Sequence, residues 1–461
     1  MACMTTPIAS TAQPVRVPAS VWRIAAVASL GPLMTNLDST VVNVALVPLG
    51  HSLAVSVHTI EWVTSAYLLA LAMALPLSGW LVARWGSRRV YLIAFAGFTV
   101  ASGLCAASPS ANALIAARVL QGLFGGLLTP LAQMTIARAA GPLMSRVMGV
   151  AVVPVLLGPM FGPALGGGIL EIANWRWLFL INIPFGIVAL ALAAMLLPRD
   201  DHSSTPARLD LVGLATLSPG LAVILIGLDR MTTNRLSAFV ALAIGLCLIG
   251  CFIRRSRSPA GRTLIDIELL RQPLFATASA TQFLSNGVVL GGQVLLPMIL
   301  LAGGLGPAAT GWMLAATGAG AVVSYPTAGR LVERLGPRTV LLGGVMLTLL
   351  GTAPFLLPKP DAIGLPLLAI ALFVRGLGIG GLNLPSISIA YAGIERETIP
   401  VATTTINIVQ RLGGPVAATL IGVVLLHSAG FAPAMVLLCV ATIAMVPFGL
   451  RMPARAATSR G

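Results

Sequence analysis

The sequence has very little charge. Only 9% of its 461 residues are Asp, Glu, Lys or Arg, where a soluble domain carries about 25%. A water-soluble globule of this length is thereby excluded. Lysine is almost missing, with Lys359 alone against 27 arginines, so no glycine-rich phosphate loop ending in lysine exists. The five cysteines (Cys3, Cys105, Cys247, Cys251 and Cys439) show no metal-ligand spacing. Four of them fall in apolar segments and read as small packing residues. His51 and His58 stand without acid or thiol company, so they read as loop residues and no metal site is indicated. No nucleophile and base fall into a catalytic constellation, so the chain is not expected to be an enzyme, and no cofactor is implied. The longest polar internal stretch, about residues 254 to 273, is too short for a soluble sensory domain.

What is present is apolar. Hydrophobic residues make up 57% of the chain and the mean hydropathy is +0.96. Apolar runs of roughly 20 residues recur from Val21 to Leu450, each long enough for a hydrocarbon core of about 30 Å. Backbone groups in lipid must be satisfied internally, which leaves helices or closed barrels. The runs are continuous rather than alternating, so the expectation is an all-α integral membrane protein. Residues 1–20 are polar, with no apolar core or cleavage site of a signal peptide, and read as a cytoplasmic tail.

Fourteen spans fit, at approximately 22–49, 59–82, 89–107, 112–137, 146–170, 177–197, 209–228, 236–253, 274–301, 308–332, 339–357, 362–391, 399–426 and 430–450. Cytoplasmic loops carry the excess of basic residues. With both termini inside, the loops divide the 28 basic residues 21 inside to 4 outside, leaving Arg118, Arg375 and Arg411 within spans. The net charge of +15 is therefore a record of topology and does not call for a nucleic-acid partner. Arginine preference with abundant Ala and Gly fits a GC-rich bacterial genome, hence a multi-pass protein of the cytoplasmic (inner) membrane.

The chain repeats itself. Gly79-Trp-Leu-Val-Ala-Arg-Trp-Gly-Ser-Arg88 returns 250 residues later as Gly329-Arg-Leu-Val-Glu-Arg-Leu-Gly-Pro-Arg338. Arg118 with its glycine-rich surroundings returns at Arg375, and Gly162-Pro163 at Gly414-Pro415. The expected organisation is a tail (1–20), a six-helix bundle (21–198), a linker with two additional helices (199–271), a second six-helix bundle (272–452) and a tail (453–461). Two such bundles are a transporter architecture with the site between them.

Five motifs in order carry a resemblance. Leu37-Asp-Ser-Thr-Val-Val-Asn-Val-Ala-Leu46, Gly79 to Arg89, Arg118-Val-Leu-Gln-Gly122, the run Gly158, Gly162, Pro163, Gly166, Gly167, and Asn174 to Gly186 all match. With the inserted helix pair, the chain resembles the fourteen-helix drug:proton antiporters of the major facilitator superfamily, the EmrB/QacA-like group. The resemblance implies the major facilitator fold. It also implies proton-driven export of lipophilic drugs or related small amphipathic compounds by alternating access, and hence multidrug efflux and antibiotic resistance. The partners implied are the bilayer, protons and a small-molecule substrate, with room for a periplasmic partner. Export of a lipid, siderophore or other metabolite on the same fold is the alternative.

Asp38 is the one acid well inside a span. A carboxyl in a membrane is costly and marks function, and one taken out of water can hold and release a proton. Arg118, at similar depth, is a cation able to bias that exchange, and the resemblance implies coupling roles for both. Gln121 lies one turn along from Arg118. Asn36, Thr40 and Asn43 share a helical face nearly opposite Asp38, leaving open whether Asp38 looks into its own bundle. Candidate cavity residues are Asn36, Asn43, Gln121, Gln282, Asn286, Asn383 and Asn407, the last four being of a kind that more often makes a helix–helix hydrogen bond than a ligand contact. Gly79, Arg84, Gly86 and Arg88 with Glu333 form a candidate conformational switch. The acid usual in the first copy of the loop motif is Ala83 here, so the lock is expected to be weaker or carried by Glu333. Gly158, Gly162, Pro163, Gly166 and Gly167 belong to the same switch, as a bendable or tightly packed fifth helix.

Overall fold

The computed structural model describes residues 16–199, 209–256, 264–357, 364–392, 394–395, 397–428 and 430–454. Among these no strand occurs. In order the helices are α1 (Ala19–Val44), α2 (Leu46–Ser52), α3 (Val57–Ala74), α4 (Leu77–Trp85), α5 (Ser87–Ala107) and α6 (Ala111–Ala140). Next come α7 (Met144–Ile172), α8 (Trp177–Leu180), α9 (Asn182–Leu196), α10 (Leu211–Asp229), α11 (Arg235–Ser256) and α12 (Pro273–Ala302). The last are α13 (Pro307–Leu335), α14 (Pro337–Thr352), α15 (Leu365–Ala390), α16 (Ile399–His427), α17 (Ala432–Ile443) and α18 (Val446–Arg451). The apolar runs become helices because each backbone group is then paired within its own segment. Several starts are fixed locally: Ser56, Ser110 and Asp210 accept the first free N–H groups of α3, α6 and α10.

Among the described residues ten stretches are long and apolar enough to cross a membrane, or eleven if the bent pair α3–α4 is taken as one crossing. The bend there is 53°, at Pro76, where the ring deprives the helix of a hydrogen bond. One of the ten, Ala111–Ile172, has 62 residues. As a straight helix it would be about 93 Å long, about three times the hydrocarbon core. It instead holds α6 and α7, joined by a tight turn at Gly141–Leu143 and both packed along α1. The difference from the fourteen expected lies in that merged pair and in α1 and α13, whose polar and small residues lower their apolarity.

The packing repeats with the sequence. In the first half α1 packs on α7, α3 on α6 and α5 on α6; in the second α12 packs on α16, α13 on α15 and α14 on α15. The turn between α4 and α5 and that between α13 and α14 have the same backbone. Gly86 has φ 84° and ψ 157°, Gly336 φ 83° and ψ 160°, a conformation that a side chain disfavours. The halves meet through α7 on α13 and α15, and through α4 and α6 on α16. The inserted helix α10 touches α3 on one side and α16 on the other, while α11 packs on α10 and presents Leu236, Phe239, Val240 and Leu246 outward. The largest buried apolar cluster runs from the first half into Tyr325, Val332 and Leu384 of the second, while two further clusters lie in the second half; the outward side chains are also apolar, as lipid contact requires.

Candidate functional site

Asp38 points into the interior of the first half. Its side chain and that of Arg118 are fully buried, and Arg118 Nη1 donates to Asp38 Oδ2 at 2.5 Å. Gln121 Nε2 donates to Asp38 Oδ1 at 3.1 Å, and Asn182 Nδ2 to the same oxygen at 2.8 Å. Both amides also reach Ser102 Oγ, at 3.2 and 3.0 Å, and Ser102 passes its own proton to the Phe179 carbonyl. Arg118 Nε donates to the Val63 carbonyl, and the guanidinium lies 3.9 Å from the centre of the Tyr67 ring. Five helices therefore converge on one carboxylate: α1, α3, α5, α6 and α9. Arg118 and Gln121 meet it together because a spacing of three places them on one face of α6.

The carboxylate is held by charge and hydrogen bonds wholly within the apolar interior. Three donors, one of them the Arg118 cation, hold the carboxylate, while among the described residues Arg118 Nη2 is buried with no hydrogen-bond partner. A buried ion pair is roughly neutral for stability, but stripping one partner from it costs about 3–5 kcal/mol.

The other face of α1 belongs to α7. Thr40 Oγ1 bonds the Gly158 carbonyl at 3.3 Å. A Cβ at Gly158 would meet Leu37 N at 3.1 Å, and one at Gly162 would collide with Thr40 Oγ1. Gly166 lies as closely on Val41, whereas Gly167 has open space around it. The opposition of Asp38 to Asn36 and Thr40 on an ideal helix is thus met without irregularity: one face holds the carboxylate, the other the close contact with α7. An open apolar groove of about 380 Å3 runs along that contact, lined by Leu33, Leu37, Leu157, Phe161, Ala164 and Leu165.

The remaining candidates are dispersed. Gln121, expected at a cavity wall, is fully buried in the Asp38 cluster. Gln282 donates to the Asn383 carbonyl, Asn383 to Ile379, and Asn286 accepts from Gly414 N, all within the second half. Asn36 bonds back to Pro32, and Asn43 accepts from Thr64. Asn407 alone of the set bridges the halves, donating to Gln133 Oε1 at 2.6 Å.

That bridge is one of four at the end where α4 turns into α5. Ser78 bonds Thr404 at 2.9 Å, Ser145 bonds Ser388 at 2.8 Å, and Arg146 forms an ion pair with Glu333. Gly79 lies against Pro400. Glu333 thus takes the cross-half role for which Ala83 has no side chain, while Arg88 bonds the Ala194 carbonyl within its own half and Arg84 is exposed. The hydrogen bonds described between the first and second halves all lie at this end, which is closed. Asn182, Ser102, Tyr67, Gln133 and Arg146 were missed by sequence reasoning. Asn182 lies inside the Asn174–Gly186 motif and could have been singled out there; the others carry no local signal.

The Major Facilitator Superfamily profile matches this chain twice, over residues 28–290 and 275–460. The chain belongs to the Major Facilitator Superfamily. A Multidrug resistance protein B homolog of Mycobacterium tuberculosis is 35% identical over 422 residues, covering 90% of this chain and 78% of that protein. The Putative multidrug resistance protein MdtD of Salmonella heidelberg is 32% identical over 329 residues, covering 70% and 68%. Among solved structures, the human organic anion transporter MFSD10 superposes with TM-score 0.66 at 19% identity, over 95% of this chain and all of that one. The proton:xylose symporter XylE does so with TM-score 0.67 at 15% identity, over 95% and 96%. At that identity these two speak for the facilitator fold alone.

Proposed function

We propose that this facilitator is a proton-coupled multidrug exporter, moving lipophilic or amphipathic compounds out of the cell as protons enter. The observation that carries the reading is the buried Asp38–Arg118 pair on one face of α1 with the α7 glycine contact on the other. A proton change at Asp38 alters what holds one side of α1, and α1 transmits it to α7, whose base carries Arg146 of the closed gate. The multidrug relatives support the cargo class, and the apolar groove beside Leu37 suits a lipophilic body.

In this reading the chain crosses the inner membrane fourteen times. The bundles 21–198 and 272–452 flank two extra helices within 199–271, and both termini are cytoplasmic. The closed end is then cytoplasmic and the state is outward-facing. The substrate leaves from this state, and protons reach Asp38 from outside. Each charge crossing 100 mV is worth about 2.3 kcal/mol, so exchanging one proton for one monocation is electrically silent and any other charge ratio is not. The test is transport in proteoliposomes under an imposed pH gradient. Wild type drives probe movement with proton flux, and Asp38→Asn, still folded though less stable because Arg118 loses its counter-charge, abolishes both. Proton-driven transport by Asp38→Asn would sink the reading.

A further inference from the structure

Helix α16 carries Thr404, Asn407 and Arg411 at spacings of three and four, which is one face of an α-helix. Thr404 bonds Ser78 and Asn407 bonds Gln133, so this face looks across to the first half. Arg411 is the next position along it, one turn beyond the gate and about 18 Å from the Ile399 end of the helix. It is partly exposed, and among the described residues it has no hydrogen bond or ion pair. Its charge acts on Tyr67 of α3, the ring that covers Arg118. Ala72, Leu75, Leu221 and Leu225 line a narrow apolar crevice of about 10 Å3 beside it.

A guanidinium at mid-membrane depth with apolar neighbours is costly unless an anion meets it. Among the described residues none meets it. Asp38 is committed to Arg118, Gln121 and Asn182. Other described carboxylates on the spanning helices sit at helix ends, as Glu61 on α3, Glu171 on α7, Asp229 on α10 and Glu333 on α13 do. Arg375, the third intramembrane arginine, is sealed in its own half: it donates to the Val288 carbonyl, and Gly292 packs directly on the guanidinium. Among the described residues Arg411 is therefore the intramembrane cation without a partner, one turn beyond the gate on the face of α16 that looks to the first half.

We infer that the cargo bears an anionic group on an apolar body, a carboxylate or sulfonate, and that Arg411 binds it. A planar guanidinium suits such groups because two parallel N–H bonds match two oxygens. This deepens the export reading and rests on it. A monoanion leaving as a proton enters moves charge inward on both legs, so the membrane potential drives the exchange.

The test uses purified full-length protein and two probes, dansylglycine and its uncharged methyl ester. Fluorescence titration should show the carboxylate binding at least about tenfold tighter than the ester. Arg411→Gln should erase that preference with ester affinity kept, and Arg411→Lys should restore part of it. Equal binding of the two probes to wild type overturns the inference. So does an Arg411→Gln protein that loses both equally, since that reports a structural role; thermal stability and the lysine variant guard against mere misfolding. Proteoliposomes under a pH gradient, with the potential set by valinomycin, separate the two readings. Selective carboxylate binding without any proton-driven transport removes the export reading and leaves Arg411. Proton-driven transport of ethidium or the ester, with no carboxylate preference, leaves export and removes the anion.

Discussion

Breaking the Arg146–Glu333 ion pair should open the closed end of the transporter. The two side chains are 23% and 17% exposed, partly shielded from solvent, and they join α7 to α13 across the halves. A charge-assisted hydrogen bond in such a place contributes about 1.5–3 kcal/mol net, and each of the three neutral gate bonds about 0.5–1.5. Glu333→Gln should therefore remove about 2 kcal/mol from the closed-end state, a shift of about thirtyfold in the equilibrium. If about one wild-type molecule in twenty has that end open, the variant should have about three in five. Spin labels at Ala83 and Glu397, exposed positions on opposite halves of this end, report it in a cysteine-free background by double electron–electron resonance. The wild type should give one short distance, and Glu333→Gln and Arg146→Ala should each add a longer one. The double variant should match the singles, because the pair can be broken only once. An unchanged short distance in both single variants would refute the assignment of the gate to this pair.

Two further outcomes follow from the packing of α1. Gly162→Val should lower thermal stability in detergent, since overpacking costs about 1–3 kcal/mol and a Cβ there strikes Thr40; Gly167→Ala, with nothing nearby, should leave it unchanged. Asn182→Ala should destabilise by about 1–3 kcal/mol and impair proton-driven transport, because Asp38 Oδ1 keeps only the Gln121 donor; normal transport at full stability would show that Asn182 does not hold the coupling carboxylate.

The sequence by itself determined the solvent, the helical class and the doubling of the chain. Lipid forces continuous apolar helices, so composition and run length suffice for the first two. The repeat of Gly79–Arg88 at Gly329–Arg338 was legible because the sharp turns at Gly86 and Gly336 need the same residue. Asp38 and Arg118 stood out because charge is rare at that depth. Only the tertiary structure decided what those residues face. A position on a helix wheel fixes direction relative to its own helix and says nothing about which neighbour lies there. So Gln121 moved from cavity wall to carboxylate ligand, Asn182 and Ser102 emerged as its companions, and Glu333 found Arg146, 187 residues away. The bend at Pro76, the closed end and an Arg411 without a partner among the described residues likewise depend on how the two halves lean on each other, a relation that no local pattern encodes.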